Sequence, residues 1–267
     1  MCIRDREICH QLTMAGLEVD GYEDVKSKIT GNDSIIKLDI TPNRGDCFSV
    51  LGVARELAVI NNLKFSLPKI NKISESFTDD INLKVCKDGP IYFGRTIKNI
   101  SLKSKTLPLI AERLKLSDQK LIDPVVDITN YILLELGQPL HAFDRQKLNG
   151  DITVRLAKEK EKIILLDDQE LELDSSCLVI SDEKEAVAFA GIMGGKASSV
   201  TDKTNSIFLE SAFFKPTIIR GKARKFGFQT DASIRFERGV DYEIQELAIN
   251  SCLLYTSPSP RDQRGSR

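Results

Sequence analysis

The sequence has no hydrophobic stretch close to the length of a bilayer-spanning helix, no signal-peptide pattern at its start, and almost no net charge. A helix needs about 20 apolar residues to cross a membrane, so no span is expected, and without a leader the chain is expected in the cytoplasm. Lysine plus arginine (38) nearly equals aspartate plus glutamate (39), for a formal charge of −1. That excludes a bulk electrostatic footprint on nucleic acid, so any RNA must be held by local patches or by other chains. Histidine is scarce, with only His10 and His141, and the 6 cysteines (2, 9, 47, 86, 177 and 252) never form a C-x-x-C pair. Zinc ligation is not expected from that spacing, and scattered cysteines without an export signal read as reduced thiols. No G-x-S-x-G or G-x-G-x-x-G occurs. The P-loop pattern fails as well, because Gly195-Lys196 is followed by Ala197 and position 190 is not glycine. A nucleophile-elbow triad and both common routes to nucleotide binding are therefore unsupported.

What is present is ordinary globular composition, 41% hydrophobic and 29% charged over 267 residues, enough for a large domain and a smaller one. Residues 7–15 are helix formers stopped by Gly16. GLEVDGYED reads as strand and turn, 35–41 as a strand, and TPNRGD as a turn carrying Pro42, Asn43 and Gly45. From Ser49, a candidate N-cap, apolar residues recur near a 3.6 period through Val50, Leu51, Val53, Leu57, Ala58 and Ile60. A polar, aperiodic run with Pro68 follows. Beyond it IYFGRTIKNI predicts a strand, and 106–116 a helix with Pro108 in its first turn. Asp123-Pro124 then starts a helix that Gly137 stops.

Strand-like runs come next (ITVRL, KIILLD, LELD, CLVIS, AVAFAGI, SIFLESAFF), and Pro216 opens a basic helix ending near Gly227. The elements do not alternate as βαβα, so the expected class is α+β. The expected layout is a small N-terminal α+β domain over 7–66, a linker over 67–80, a strand-rich α+β domain over 81–245 and the start of a further helix over 246–252. Residues 1–6 and 253–267 are out of character with the rest and read as translated adapter sequence, a natural disordered tail being the other reading. On the first reading the natural protein continues past about Ser251.

Four features could carry chemistry, each with a plainer alternative. AGIMGG (190–195) permits close backbone approach to a ligand, or is simply a tight turn. His141, expected in a loop beside Pro139, could position or deprotonate water; a surface or capping histidine is the plainer reading. Glu210 lies in an apolar strand and shares a face with Phe208 and Ala212. A carboxylate there must be paired, as in a salt bridge to lysine or arginine, or face a cavity. Arg220, Lys222, Arg224 and Lys225 form a solvated helix face or a phosphate contact. The KEKEK run at 158–162 reads as an exposed turn.

In their order along the chain, these segments resemble one family. LTMAGLEVDG and DITPNRGDCFSVLGVARELAV are similar to the B1 region of phenylalanyl-tRNA synthetase β subunits. VVDITNYILLELGQPLHAFD, AGIMGG, IFLESAFF and TDASIRFERGVD are similar to the B3/B4 domain of that family, and the resemblance runs over 7–250. It implies an editing site that hydrolyses the ester of Tyr-tRNA(Phe). By motif, Thr129, Asn130 and His141 would line the reaction centre, and Gly191, Glu210, Thr230 and Ala232 the amino-acid pocket, with Glu210 accepting the tyrosine hydroxyl.

Lys120 falls where many members carry an arginine that contacts the tRNA end; lysine keeps the charge but loses the planar fork. Discrimination by a site built around a hydroxyl is physically sound, because a partner lacking it leaves a buried polar group unpaired. The resemblance implies no metal or cofactor for this segment, ATP and magnesium for a whole enzyme, and as partners tRNA(Phe) and an α subunit in an α2β2 assembly. Relatives carry an inserted OB-fold tRNA-binding module where this chain has only the short segment 22–37, and the downstream β-subunit domains are not present, so aminoacylation by this chain alone is not expected. Two other readings stand beside this one: a β-subunit scaffold without editing activity, and a freestanding tRNA-binding or trans-editing module.

Overall fold

The computed structural model describes residues 3–27, 29–70, 73–86 and 91–256. Of the two ends read as foreign, residues 1–2 and 257–267 lie outside the described residues. The N-terminal segment folds as α1 (Ile3–Met14), the antiparallel hairpin β1 (Glu18–Ser27) and β2 (Gly31–Asp39), and α2 (Val50–Ile60). Its small core is Leu12, Leu17 and Cys47. Ser49 caps α2 as its pattern suggests, with Oγ accepting from the Gly52 amide at 3.0 Å.

Gly52 sits where the preceding turn folds back onto the helix. A Cβ there would stand 1.8 Å from the Asp46 carbonyl oxygen. Because the obstacle is backbone, Gly52→Ala is expected to lower unfolding stability by about 3 kcal/mol, measured as a reduced urea midpoint at unchanged m-value.

Residues 63–80 carry no helix or strand among those described. They are nonetheless pinned to the body. Arg145 grips Asp79 through Nε and Nη2 at 2.8 and 2.9 Å, Thr96 also bonds it, and the Arg145 bond holds the Asp79 carboxyl well below the usual range.

The rest of the chain is built on two larger sheets. In order come β3 (Leu83–Val85), β4 (Ile91–Lys98), α3 (Pro108–Leu116), α4 (Pro124–Leu136), β5 (Leu140–Asp144), β6 (Ile152–Leu156), β7 (Glu161–Ile164), β8 (Glu170–Leu173), β9 (Leu178–Ser181), β10 (Ala186–Phe189), β11 (Met193–Gly194), β12 (Ser206–Phe213), α5 (Pro216–Ile219), α6 (Lys222–Lys225), α7 (Asp231–Arg238) and α8 (Gln245–Thr256). A three-stranded antiparallel sheet has the order β4-β12-β5, and a five-stranded one the order β11-β10-β9-β6-β3, with β3 and β6 parallel. The class is α+β, as the lack of βαβα alternation indicated. No helix among the described residues is long and apolar enough to cross a membrane.

Strand β12 is the centre of the molecule and is buried on both faces. Alternation sends Ile207 and Leu209 to one side, where they join Ile128, Ile132 and Leu136 of α4 and Ala248 and Ile249 of α8. It sends Phe208 and Ala212 to the other side, into the core under the five-stranded sheet with Val179, Phe189 and Phe214. Glu210 belongs by the same alternation to this second side.

Three local expectations are corrected. His141 is not in a loop but in β5, whose residues pair with β12 in the register His141 opposite Glu210. The stretch after Pro216 is not one helix: Gly221, at φ +76°, breaks it into α5 and α6. In KEKEK only the first three residues form the turn, since Glu161 and Lys162 begin β7 and Glu161 pairs with Arg155 at 2.7 Å.

Candidate functional site

The hairpin β10–β11 turns through Gly191, whose φ of +69° is a conformation that side chains disfavour. The turn closes with the Ile192 amide bonding the Phe189 carbonyl at 3.0 Å. AGIMGG is a tight turn, and the turn lines a cleft. That cleft is walled by Leu140 and His141 of β5, Gly191 to Gly194, Glu210 of β12, and Ala232 and Phe236 of α7, with Ile180, Ala188 and Phe189 behind. Its enclosed volume is about 70 Å³, smaller than the roughly 300–1,000 Å³ of a drug-sized ligand site. A Cβ on Gly191 would meet Phe214, Ile219 and Phe236 at 3.0–3.2 Å, so this glycine serves the packing behind the turn as well as the turn itself.

Glu210 is 6% exposed and its only partner among the described residues is the Tyr92 hydroxyl, which donates to Oε2 at 2.8 Å. No lysine or arginine pairs with it among those residues. Burial pushes its carboxyl up to about 8, partly opposed by the Tyr92 bond, so it holds its proton near neutrality. Burial, and then the neighbouring Glu210, push the Tyr92 phenol well above its usual range.

His141 is half-buried, but its Nε2 is out of water and has no hydrogen-bond partner. Burial lowers the imidazole to about 4, so it is neutral at pH 7. The ring stands edge-on to Phe143 at 4.5 Å and rests against Gly194, where a Cβ would come within 2.3 Å of Cε1. The cleft therefore presents an uncharged acid and an uncharged imidazole on adjacent strands within an apolar wall.

Of the residues singled out in the sequence, His141, Gly191, Glu210 and Ala232 meet in this cleft. Thr230 does not line it but braces it. As N-cap of α7 its Oγ1 accepts from the Ser233 amide at 3.0 Å and donates to the Ile192 carbonyl at 2.8 Å, tying the helix to the glycine turn. Thr129 and Asn130 are on α4, whose apolar stripe packs on the opposite face of the three-stranded sheet, and neither lines the cleft. Thr129 is buried, with Oγ1 bonded to the Val126 carbonyl. Lys120 is exposed between α3 and α4, also away from the lining.

The basic set is tied down. Lys222 bonds Ser176, Lys225 pairs with Asp174, and Arg220 and Arg224 reach Glu237. Sequence reasoning missed Tyr92 and Phe236, whereas Gly194 lies within AGIMGG. Only the register of β4 on β12 brings Tyr92 to Glu210, and no local signal marked it.

A second cluster lies in the N-terminal segment. Asp46, Cys47 and Glu56 bring potential metal-ligating atoms together, but they converge on the Arg44 guanidinium, whose Nη2 is 2.9 Å from each. Desolvation and the adjacent Asp46 push the Cys47 thiol up to about 11.

The two halves of the chain meet at α7. Arg235 and Arg238 reach the carbonyls of Phe48 and Ile40 at 3.3 and 3.1 Å, and the Arg238 guanidinium lies 4.3 Å from the centre of the Phe48 ring. Gly45 packs directly on the Arg238 carbonyl. The TPNRGDCF and RFERG motifs, far apart in sequence, thus form a single joint.

Comparison with known proteins places this geometry in a family. Residues 88–257 match the model of the B3/4 domain. The chain is 51% identical over 229 residues to the phenylalanine–tRNA ligase beta subunit of Idiomarina loihiensis, covering 85% of this chain and 29% of that one. It is 50% identical to the corresponding protein of Photorhabdus laumondii over the same shares, and 51% identical to that of Acinetobacter baylyi over 82% of this chain and 28% of that one. The chain thus spans under a third of the length of these relatives. A solved N-terminal fragment of the phenylalanyl-tRNA synthetase beta subunit from Pyrococcus horikoshii aligns over 79% of this chain and 63% of its own, at 18% identity and a TM-score of 0.41. With the family model matching well over half of its residues, the chain belongs to the B3/4 domain family.

Proposed function

We propose that this chain is a segment of a phenylalanine–tRNA ligase β subunit and carries the site that hydrolyses tyrosine wrongly esterified to tRNA(Phe). The observation that carries the reading is Glu210, a buried carboxyl facing an apolar cleft and bonded to a phenol, with a neutral histidine opposite it. A carboxyl kept neutral can accept or donate a hydrogen bond to an aryl hydroxyl. A phenylalanyl side chain would leave it unmatched, which penalises the correct amino acid and protects it.

His141, uncharged at pH 7, has a lone pair with which to orient or deprotonate the attacking water. Gly191 and Ala232 shape the ring space, and Thr230 holds it in place. For Thr129 and Asn130 at the reaction centre, and Lys120 at the tRNA end, the support is the resemblance of their motifs. The division into 7–66, 67–80 and 81–245 is proposed on the same footing. So are the α subunit and tRNA(Phe) as partners in an α2β2 enzyme, ATP and magnesium for its aminoacylation step, and a cytoplasmic setting. No metal is assigned to the hydrolytic step.

The test compares release of tyrosine from Tyr-tRNA(Phe) with release of phenylalanine from Phe-tRNA(Phe) by the full 267-residue chain. Preferential tyrosine release is expected, with the preference falling roughly tenfold or more in Glu210→Ala. No release by a folded chain would favour the β-subunit scaffold without editing activity.

A further inference from the structure

Strand β12 has a neighbour on each side of Glu210. On β5 the residue opposite is His141; on β4 it is Gly94, two residues from Tyr92 on the same face. The absence of a side chain at Gly94 leaves the space that the Phe208 ring fills, since a Cβ there would come within 2.3 Å of Cζ. Tyr92 itself does not line the cleft. Its hydroxyl reaches Glu210 from behind the cleft wall and bonds Oε2 at 2.8 Å, and no other group among the described residues bonds the carboxyl. The protein therefore already offers Glu210 one phenol, from its own chain and at a fixed position.

We propose that Tyr92 is a specificity-determining positioning residue, whose hydroxyl holds Oε2 of Glu210 so that Oε1 alone is presented to the para-hydroxyl of an aryl side chain entering the cleft. A carboxyl inside an apolar wall has several rotamers, and without an anchor it could turn away to meet either oxygen's needs elsewhere. Tyr92 removes that freedom. The carboxyl plane is set before the ligand arrives, and one oxygen is left to match one ligand hydroxyl. Preorganisation of this kind raises selectivity by cutting the cost of ordering the site. Phenylalanine gains nothing from it, because it offers Oε1 no partner. The assignment rests on reading the cleft as a tyrosyl-ester site, but it concerns recognition and not the hydrolytic step.

The experiment measures dissociation constants of L-tyrosine and L-phenylalanine for the full chain and for Tyr92→Phe, alongside steady-state hydrolysis of Tyr-tRNA(Phe). In the variant, the preference for tyrosine should fall roughly tenfold, the size of one lost hydrogen bond to a buried carboxyl. KM should rise while kcat stays close to that of the parent, because recognition and not chemistry is touched. An unchanged preference, or equal weakening toward both amino acids, would overturn the assignment. An infrared measurement keeps the test open should Tyr92→Phe fold poorly. The protonated-carboxyl band, assigned to Glu210 by its loss in Glu210→Gln, should shift when tyrosine is added to the parent chain and not when phenylalanine is added. The absence of that selective shift would also overturn the assignment. If the parent prefers tyrosine and Tyr92→Phe abolishes the preference, yet neither hydrolyses Tyr-tRNA, the editing reading fails and the role of Tyr92 stands.

Discussion

Glu210→Gln is expected to stabilise the protein at alkaline pH and to abolish most of a stability loss that the parent shows as pH rises from about 4.5 to about 8. The folded-state carboxyl titrates near 8 against an ordinary value of 4.5. Between those two pH values the folded protein holds a proton that the unfolded chain has released, so folding stability falls as pH rises through the window. At about 1.4 kcal/mol per pH unit the window sets a ceiling of about 5 kcal/mol on the cost, reached only above pH 8. Glutamine keeps an acceptor for the Tyr92 hydroxyl and never ionises.

His141 acts in the opposite sense. Its folded value near 4 lies below the ordinary 6.5, so stability is lost as pH falls from 6.5 to 4. The two contributions oppose each other between about 4.5 and 6.5, and only the Glu210 loss remains from there to 8. Urea unfolding at half-unit pH steps from 4 to 9 checks this. Parallel curves for parent and Glu210→Gln would mean that Glu210 is not held protonated by burial.

Gly194→Ala is expected to slow hydrolysis of Tyr-tRNA(Phe) about as much as His141→Ala does, on the order of 100-fold, although position 194 contributes no functional group. The imidazole rests on the Cα of Gly194, and a methyl there would stand 2.3–2.5 Å from Cε1 and Nε2. The backbone has little room to retreat, being paired to Ala188 on one side and bonded through its carbonyl to the Leu166 amide at 3.1 Å on the other. The ring must then move, and it moves away from Glu210's side of the cleft or into it. Single-turnover deacylation at saturating chain separates this from lost binding. Near-parental turnover in Gly194→Ala would show that the observed seat of the ring is not the one used in the reaction. The double variant should be no slower than either single one, since both act on the same group.

Much of the fold was legible because its signals are local. Asp123 followed by Pro124 caps and starts α4 as the pattern requires, with the carboxylate accepting from Val125 and Val126 at 2.9 and 3.0 Å. Gly137 stops the helix in a left-handed conformation. The alternation of IFLESAFF placed Glu210 on the face of Phe208 and Ala212, and so set it apart as a buried acid needing an explanation. What was illegible depends on partners distant in sequence. LHAFD has no run of β-branched residues, and it becomes a strand because β12 offers it a ladder. The sequence left Glu210 either paired with a cation or facing a cavity; it lines the cleft, and no cation pairs with it among the described residues. Burial raises the carboxyl enough that a phenol suffices, and Tyr92 is 118 residues away in sequence. No local signal marked Arg235 and Arg238, because the aromatic face and carbonyl they meet belong to Phe48, far away in the sequence.

That last contact makes α7 a beam clamped at both ends. Eight residues of helix span about 12 Å. The near end holds Thr230 against the glycine turn and sets Ala232 into the cleft wall, while the far end, which adds Phe236 to that wall, is bolted through Arg235 and Arg238 to the Ile40–Phe48 stretch. A beam released at one end can pivot at the other. Loosening the N-terminal joint would thus detune the cleft without altering a single residue in it, and the damage would register first as lost discrimination between two nearly identical aromatic rings, well before any loss of overall folding.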